Sequence, residues 1–213
     1  MRITLACLLA VGLCVSVALA LDRPLSDEAV REAYFLGQRH DETTAQFLET
    51  YRRYFPIPES GPHVYAVEFF TPYAQAVEAA SKRAGNYSAQ QAKEDYLLRG
   101  DSVRVGVHIR YTSTYGPGAA PSTSKTTELT GRRGEFQVRL IQRGTAVEAK
   151  NVKHEGTWMS VGGGKGGGGS RATGFIVWQE YDASNLTSDE ATVEIDTPDG
   201  QHVVASFDLS RLR

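Results

Sequence analysis

Cysteine is nearly absent from this chain of 213 residues: there are two, Cys7 and Cys14, and both precede residue 20. The rest of the chain therefore has no thiol that can form a disulfide bond, bind a metal or attack a substrate. Such a domain must be stabilised by burial of apolar side chains, at about 25 cal/mol per Å² of apolar surface.

The chain also lacks an excess of charge of one sign, since 23 Lys and Arg residues stand against 25 Asp and Glu residues. A nucleic-acid-binding protein needs a clustered basic face. The balance therefore predicts that no nucleic acid is a partner.

Motifs for metal or nucleotide chemistry are missing as well. The five histidines show neither strand nor helix spacing of a metal site: His40, His63, His108, His154 and His202. The glycine-rich run 162–170 resembles a phosphate loop, but Met159 stands where the loop needs its first glycine and Gly166 follows Lys165. We therefore expect no metal, no cofactor, and a glycine loop between two strands.

The first twenty residues have the pattern of a secretion signal. Arg2 is followed by an apolar run from residue 3 to 17 and then by Ala18, Leu19 and Ala20, which is the order that a signal peptidase recognises. We predict a cleaved signal peptide over residues 1–20, a mature chain beginning at Leu21, a periplasmic or extracellular location, and no stable membrane insertion after cleavage. An uncleaved anchor and a lipid-modified Cys14 are the alternatives.

Helix signals dominate residues 21–99. Ser26, Asp41, Thr71 and Ser88 each stand where a side-chain oxygen can cap a helix. The apolar spacing of Phe47, Leu48, Tyr51, Tyr54 and Phe55 predicts that the second helix continues to the residue before Pro56. Residues 21–58 are thus expected to form a helical extension, and residues 71–99 a helical insertion.

Strand signals dominate the remainder. We predict seven strands, over residues 63–70, 103–111, 135–143, 145–153, 172–181, 191–197 and 201–209, from alternating apolar residues and intervening turn residues. Pro198, Asp199 and Gly200 give the strongest hairpin signal. The expected fold is α+β: an antiparallel β-sandwich of immunoglobulin-like type over residues 59–213, with the helical insertion between its first two strands.

Aromatic residues provide the candidate binding site. Trp158 precedes the glycine loop, while Tyr111 and Tyr115 flank a loop rich in Gly, Pro, Ser and Thr. Exposed rings on loops are suited to binding sugars or proteins. We expect these three rings to contact a ligand, although packing in the core is the competing interpretation for Trp158.

No nucleophile elbow of the form G-x-S-x-G occurs. The leading hypothesis is therefore a non-catalytic exported module that binds a protein or glycan partner. One alternative is an exported hydrolase that uses scattered histidines or carboxylates such as Glu68, Glu94, Asp95 and Glu180. Another is a component of a cell-envelope assembly, for which the apolar stripe of residues 41–55 should remain exposed.

Overall fold

The computed structural model describes residues 23–83, 85, 87–117, 136–161, 169–187 and 189–213. The described chain forms four α-helices, α1 (Asp27–Gln38), α2 (Glu42–Glu49), α3 (Pro72–Lys82) and α4 (Ala89–Arg99). It also forms nine strands, β1 (Arg52–Tyr54), β2 (His63–Phe70), β3 (Ser102–Arg110), β4 (Gln137–Gln142), β5 (Thr145–Val147), β6 (Asn151–Val161), β7 (Gly169–Asp182), β8 (Glu190–Asp196) and β9 (His202–Asp208). The predicted signal peptide and most of the glycine-rich run lie outside the described residues.

The four predicted helix starts are confirmed. Ser26, Asp41, Thr71 and Ser88 each accept a hydrogen bond from a backbone N–H of the first helical turn. Because these N–H groups have no partner within the helix, a side-chain oxygen just before them fixes the start of the helix.

The predicted end of the second helix is wrong. α2 ends at Glu49, and residues 52–54 instead form β1, which pairs with β2. Beyond α2 the chain exchanges helical hydrogen bonds for ladder hydrogen bonds to β2 and buries Tyr51, which is 1% exposed. A strand three residues long is too short to show a period in the sequence.

The strands form two antiparallel sheets, so the α+β prediction with two such sheets is confirmed. One sheet has the order β1-β2-β3-β7-β6 and the other β5-β4-β8-β9. The hairpin of β8 and β9 is also confirmed, with Glu194 opposite Val204.

The predicted number of strands and one strand boundary are wrong. There are nine strands among the described residues, and the expected strand over 145–153 is divided between the two sheets. β5 completes a hairpin with β4, whereas β6 pairs with β7 as far as Val161 opposite Gly169. Trp158 therefore lies within β6, which ends at Val161. Most of the glycine-rich run that follows lies outside the described residues.

The main core lies between the two sheets. Val103, Val105 and Val107 on β3 are fully buried and face the interior, in one cluster with Leu140 of β4 and Val193 of β8. The alternate β3 residues lie on the outer face of the five-stranded sheet, the face turned away from the other sheet.

The helices form a second core. α1 packs against α3 and α4, burying Val30, Ala33, Val77 and Tyr96 among others. Since α3 follows the end of β2 and α4 precedes the start of β3, this helical layer lies at one end of these strands. No helix of the described chain is both long enough and apolar enough to cross a membrane.

Candidate functional site

A groove of about 620 Å³ lies at the end of the five-stranded sheet opposite the helical layer. It forms where β3 ends, β7 begins and β6 reaches its last residues. The backbone N–H of Tyr111 donates to the carbonyl of Thr173 over 2.8 Å, which joins its two main walls. Its volume is within the range of about 300–1,000 Å³ that is typical of small-ligand sites.

The described lining of the groove is polar and basic. Arg110 and Arg171 contribute guanidinium groups, and Thr112, Ser113 and Thr173 contribute hydroxyls. Its apolar part consists of Tyr111, Pro117, Met159 and Ala172. No Asp, Glu or His is among these lining residues, so the described groove contains no carboxylate or imidazole for acid-base catalysis.

Arg110 is oriented by an aromatic ring and not by an acid. It is the last residue of β3, and its guanidinium carbon lies 3.3 Å from the centroid of the Tyr65 ring. Tyr65 is itself supported by Tyr54, with ring centroids 5.3 Å apart. A cation held over an aromatic face keeps its N–H groups available for a ligand.

Tyr111 forms part of both the groove and the core. Its half-buried ring lies 6.2 Å from that of Phe175 and 6.1 Å from that of Tyr115. Gly116 has a φ of +121°, and a Cβ at this position would overlap the Tyr111 ring. Glycine is therefore required here both for the backbone conformation and for the close approach of the ring.

The other two predicted binding residues lie elsewhere. The expectation that Tyr115 is exposed is wrong, because it is 8% exposed and packs edge-on against Phe136 in the core. Trp158 is 65% exposed on the edge strand β6, next to the groove residue Met159 but not among the lining residues. A ligand contact by any of the three remains a prediction.

Hydrogen bonds attach the loops at this end to one another. Thr112 donates from Oγ1 to the carbonyl of Gly61 over 2.6 Å, and the N–H of Gly61 donates to Thr114 Oγ1 over 2.8 Å. Gln201, after the β8–β9 turn, donates from Nε2 to the carbonyl of Ser60 over 3.0 Å. The polar wall beside Tyr111 is thus held in place by the connector before β2.

A second polar cluster lies on the outer face of the five-stranded sheet. Glu68 of β2 is buried, with Oε1 2.6 Å from Arg52 Nε and Oε2 3.1 Å from His108 Nε2. Burial favours the neutral acid, but the nearby His108 ring and the Arg52 guanidinium outweigh it and lower the pKa of Glu68 below its usual range. A carboxylate held ionised in this way is a poor proton donor.

Arg104 connects this face to the helical layer. Its guanidinium forms an ion pair with Glu78 of α3 and lies over the rings of Phe70 and Trp178. The Trp178 ring lies on Gly106, where a Cβ would overlap it, and its Nε1 donates to Glu155 over 3.0 Å. These contacts pair Arg104 with Glu78 and the Trp178 indole with Glu155, while the buried Nε of Arg104 has no hydrogen-bond partner among the described residues.

The carboxylates that the sequence suggested for hydrolysis are not brought together by the described contacts. Asp95 binds Arg83 and Tyr87, and Glu94 accepts from Gln90, all in the helical layer. Glu180 stands opposite Arg104 on β7, and Glu68 is the one that contacts a histidine.

The histidines are likewise separated. His108 pairs with Glu68 in one sheet, and His202 pairs with Asp196 over 2.7 Å in the other. Throughout the part of the chain that the structure describes, no three His, Cys, Asp or Glu side chains are grouped so that they could hold a metal.

Sequence reasoning missed the basic part of the groove. Arg110 was visible as the polar end of an alternating strand, but Arg171 gave no signal, because it precedes the apolar stretch taken as the strand. The pairing of β3 with β7 brings them to one site. The comparisons with known proteins add no assignment: no family model matches the chain, and neither a curated protein nor a solved structure does.

Proposed function

We propose that the protein is an exported, non-catalytic module that binds a protein or glycan partner in the groove beside Tyr111. The observation that carries this proposal is the composition of the groove. Its described lining offers guanidinium groups, hydroxyls and one aromatic ring, but no carboxylate or imidazole that could transfer a proton. Such a site can recognise a ligand but lacks the groups for acid-base hydrolysis.

The arrangement of strands supports an immunoglobulin-like classification of the sandwich. If β2, β3, β4, β6, β7, β8 and β9 are labelled A to G, the sheets have the orders A-B-E-D and C-F-G, with β5 next to C and β1 next to A. Apart from the two added strands, this order matches that of an immunoglobulin constant-type sandwich, which supports the proposed classification. The likeness is one of architecture and gives no function by itself.

The position of the groove within the sandwich supports a binding role. It includes the start of the connection between β3 and β4, at the end of the sandwich that also holds the β8–β9 turn. In variable immunoglobulin domains, the loops at this end form the binding surface.

Neither alternative hypothesis gains a specific observation. A hydrolase would need a pocket in which several acids or histidines converge, and the described acids do not line the groove. Three acids, Asp27, Glu28 and Glu32, do line a second pocket on α1, but all three are exposed there. Asp27 and Glu32 are also engaged in ion pairs with Lys93 and Arg213. The envelope-assembly hypothesis required an uncovered apolar stripe on the second helix. Phe47 and Leu48 are instead packed against the cores of the protein itself.

Export is tested by the N-terminus of the purified protein. When the full chain is expressed in a bacterium with a periplasm, we expect the protein in the periplasmic fraction with Leu21 as its first residue. Recovery of an intact Met1 from the cytoplasm would contradict export but would leave the groove proposal standing.

Binding is tested with an array of neutral and acidic oligosaccharides and peptides. Ser113 is exposed at the groove, so Ser113→Trp should fill part of it and reduce binding of any bound probe at least about tenfold. Ser206→Trp, on the exposed face of β9, is the matched control and should bind as the unmodified protein does. Equal binding by both variants would place the ligand elsewhere.

A further inference from the structure

We infer that the groove is specific for an acidic oligosaccharide, one that carries carboxylate or sulfate groups on its sugar units. This inference rests on the proposed function and adds the chemical class of the ligand. Two cations, Arg110 and Arg171, line the groove, and no acid is among its described lining residues. The described part of the site therefore has a local charge that its own side chains do not neutralise.

Neither arginine is used in an ion pair within the described chain. The interaction found for Arg110 is with the face of Tyr65, and no carboxylate is among the described residues that line the groove with Arg171. By contrast, Arg104, Arg139 and Arg143 each form an ion pair with a carboxylate. Arginine is suited to bind carboxylate and sulfate because its planar fork can donate two parallel hydrogen bonds.

The spacing of the two cations favours an extended ligand. Arg110 is paired with Gly174, and Arg171 lies three residues earlier on β7. At about 3.3 Å per residue, their backbone positions are roughly 10 Å apart along the sheet. A ligand that carries anionic groups on separate units can contact both arginines at this spacing.

The remaining lining favours a sugar over an acidic peptide. Ser113 presents an exposed hydroxyl, and Tyr111 adds one half-buried ring. The hydroxyls of Thr112 and Thr173 already bond Gly61 and Thr157, and each can still accept a hydrogen bond from a ligand. A peptide partner is usually anchored by a large apolar side chain in a desolvated pocket. The described groove instead has small polar groups that match a chain of hydroxyls.

The test is calorimetric titration of the mature protein with four probes. These are tetragalacturonate, which carries only carboxylates, a sulfated heparin tetrasaccharide, neutral maltotetraose, and a tetraglutamate peptide. We expect one or both acidic saccharides to bind at least about tenfold more tightly than maltotetraose, with affinity that falls as salt is added. The difference between the two acidic saccharides identifies the anionic group.

Variants of the two arginines test whether they bind the anionic groups of the ligand. Arg110→Ala and Arg171→Ala should each weaken binding of the preferred saccharide about tenfold, because each removes hydrogen bonds to an anion. Arg110→Lys should fall between, since it keeps the charge but loses the planar fork. Arg31→Ala, an exposed arginine on α1, is the matched control and should change nothing.

The outcomes separate the inference from the proposed function. If maltotetraose binds as tightly as the acidic saccharides, and does so through a site blocked by Ser113→Trp, the charge inference is overturned while the binding groove stands. If tetraglutamate binds most tightly, the inference that the ligand is an oligosaccharide is overturned and a protein partner is favoured. Binding that neither Ser113→Trp nor the arginine variants alter, or failure of every probe to bind, overturns both.

Discussion

Glu68 shows how one buried charge is stabilised in this fold. Its side chain is 4% exposed, Oε1 lies 2.6 Å from Arg52 Nε, and Oε2 lies 3.1 Å from His108 Nε2. A buried carboxylate without such partners would lose its hydration with no compensation. Because the partners lower the pKa of Glu68 below its unfolded value, its ionised form is favoured by folding.

At this residue scale, Glu68→Gln should reduce the free energy of unfolding at neutral pH by about 2–3 kcal/mol. The amide keeps the shape but removes the buried anion that Arg52 and His108 share, and Arg52 keeps only its longer contact of 3.6 Å with the exposed Glu49. This loss of stability is small for the removal of one partner of a buried ion pair, because Arg52 and His108 are both partly exposed. Urea unfolding measures it, with Glu59→Gln in the exposed connector as the control.

The contribution of Glu68 to the free energy of unfolding should decrease as the pH falls. A carboxyl with a lowered folded-state pKa contributes its stability above the unfolded-state value of about 4.3, and this contribution is lost as pH falls through the folded-state pKa. The difference in stability between the unmodified protein and Glu68→Gln should therefore shrink below about pH 4.3. A difference that stays constant down to pH 2 would refute this account.

Tyr111 and Tyr115 show how far individual residues of the candidate site could be predicted from the sequence. Tyr111 was identified from its place beside a loop, and it lines the groove. Tyr115, four residues later, shares that loop context but turns into the core. A tight turn, with a bridge between Thr112 and Tyr115, reverses its direction, and no local pattern signals that reversal.

At the scale of elements, the contact of α1 with α3 depends on the lack of a side chain at one position. Gly37 lies on the buried face of α1, where an added Cβ would overlap the carbonyl of Val77 and the Cβ of Ala80. The obstructing atoms are backbone and a rigid methyl, which cannot rotate away. The two helices can therefore approach closely only with glycine here.

We expect Gly37→Ala to destabilise the protein by about 1–3 kcal/mol, because the helices must separate. The better helix propensity of alanine, worth about 1 kcal/mol, offsets only part of this cost. Thermal unfolding measures the change. Gly156→Ala on the exposed strand β6 is the control, since its Cβ would approach only the exposed Trp158 ring, at 3.1 Å from Nε1.

The starts of the helices could be predicted from the sequence, whereas the end of α2 could not. The capping oxygens of Ser26, Asp41, Thr71 and Ser88 act on backbone groups within three residues, so the signal is local. The end of α2 depends on a competing ladder with β2, which is distant from it in sequence. Tyr51, Tyr54 and Phe55 have helical spacing in the sequence, but the pairing of β1 with β2 holds this segment in an extended conformation.

At the scale of the whole molecule, two cores are joined by a few contacts. Phe47 and Leu48 of α2 pack against both the sandwich core and the helical core. Gln75 of α3 donates from Nε2 to the carbonyls of Phe70 and Ser102, at the ends of β2 and β3. Such shared contacts favour unfolding of the two layers as one unit.

We predict coincident unfolding midpoints for the helical circular dichroism band and for tryptophan fluorescence, since both tryptophans, Trp158 and Trp178, lie in the five-stranded sheet. Phe47→Ala should lower both midpoints together and cost about 2–3 kcal/mol, because it opens a void that borders both cores. Phe35→Ala, at a residue 59% exposed on α1, is the control. Separate transitions in the unmodified protein would show that the layers are independent.

The sequence by itself determined the class of fold, the helix starts and the β8–β9 hairpin, because these depend on interactions between residues close in the chain. It also indicated Tyr111 as a candidate from its place beside a loop. Only the tertiary structure decided the division of strands between the sheets, the burial of Tyr115, and the meeting of Arg110 with Arg171 in one groove. The physical reason is that β3 and β7, whose pairing builds the site, are far apart in the chain. Their register is chosen by burial of the whole core and not by any local pattern.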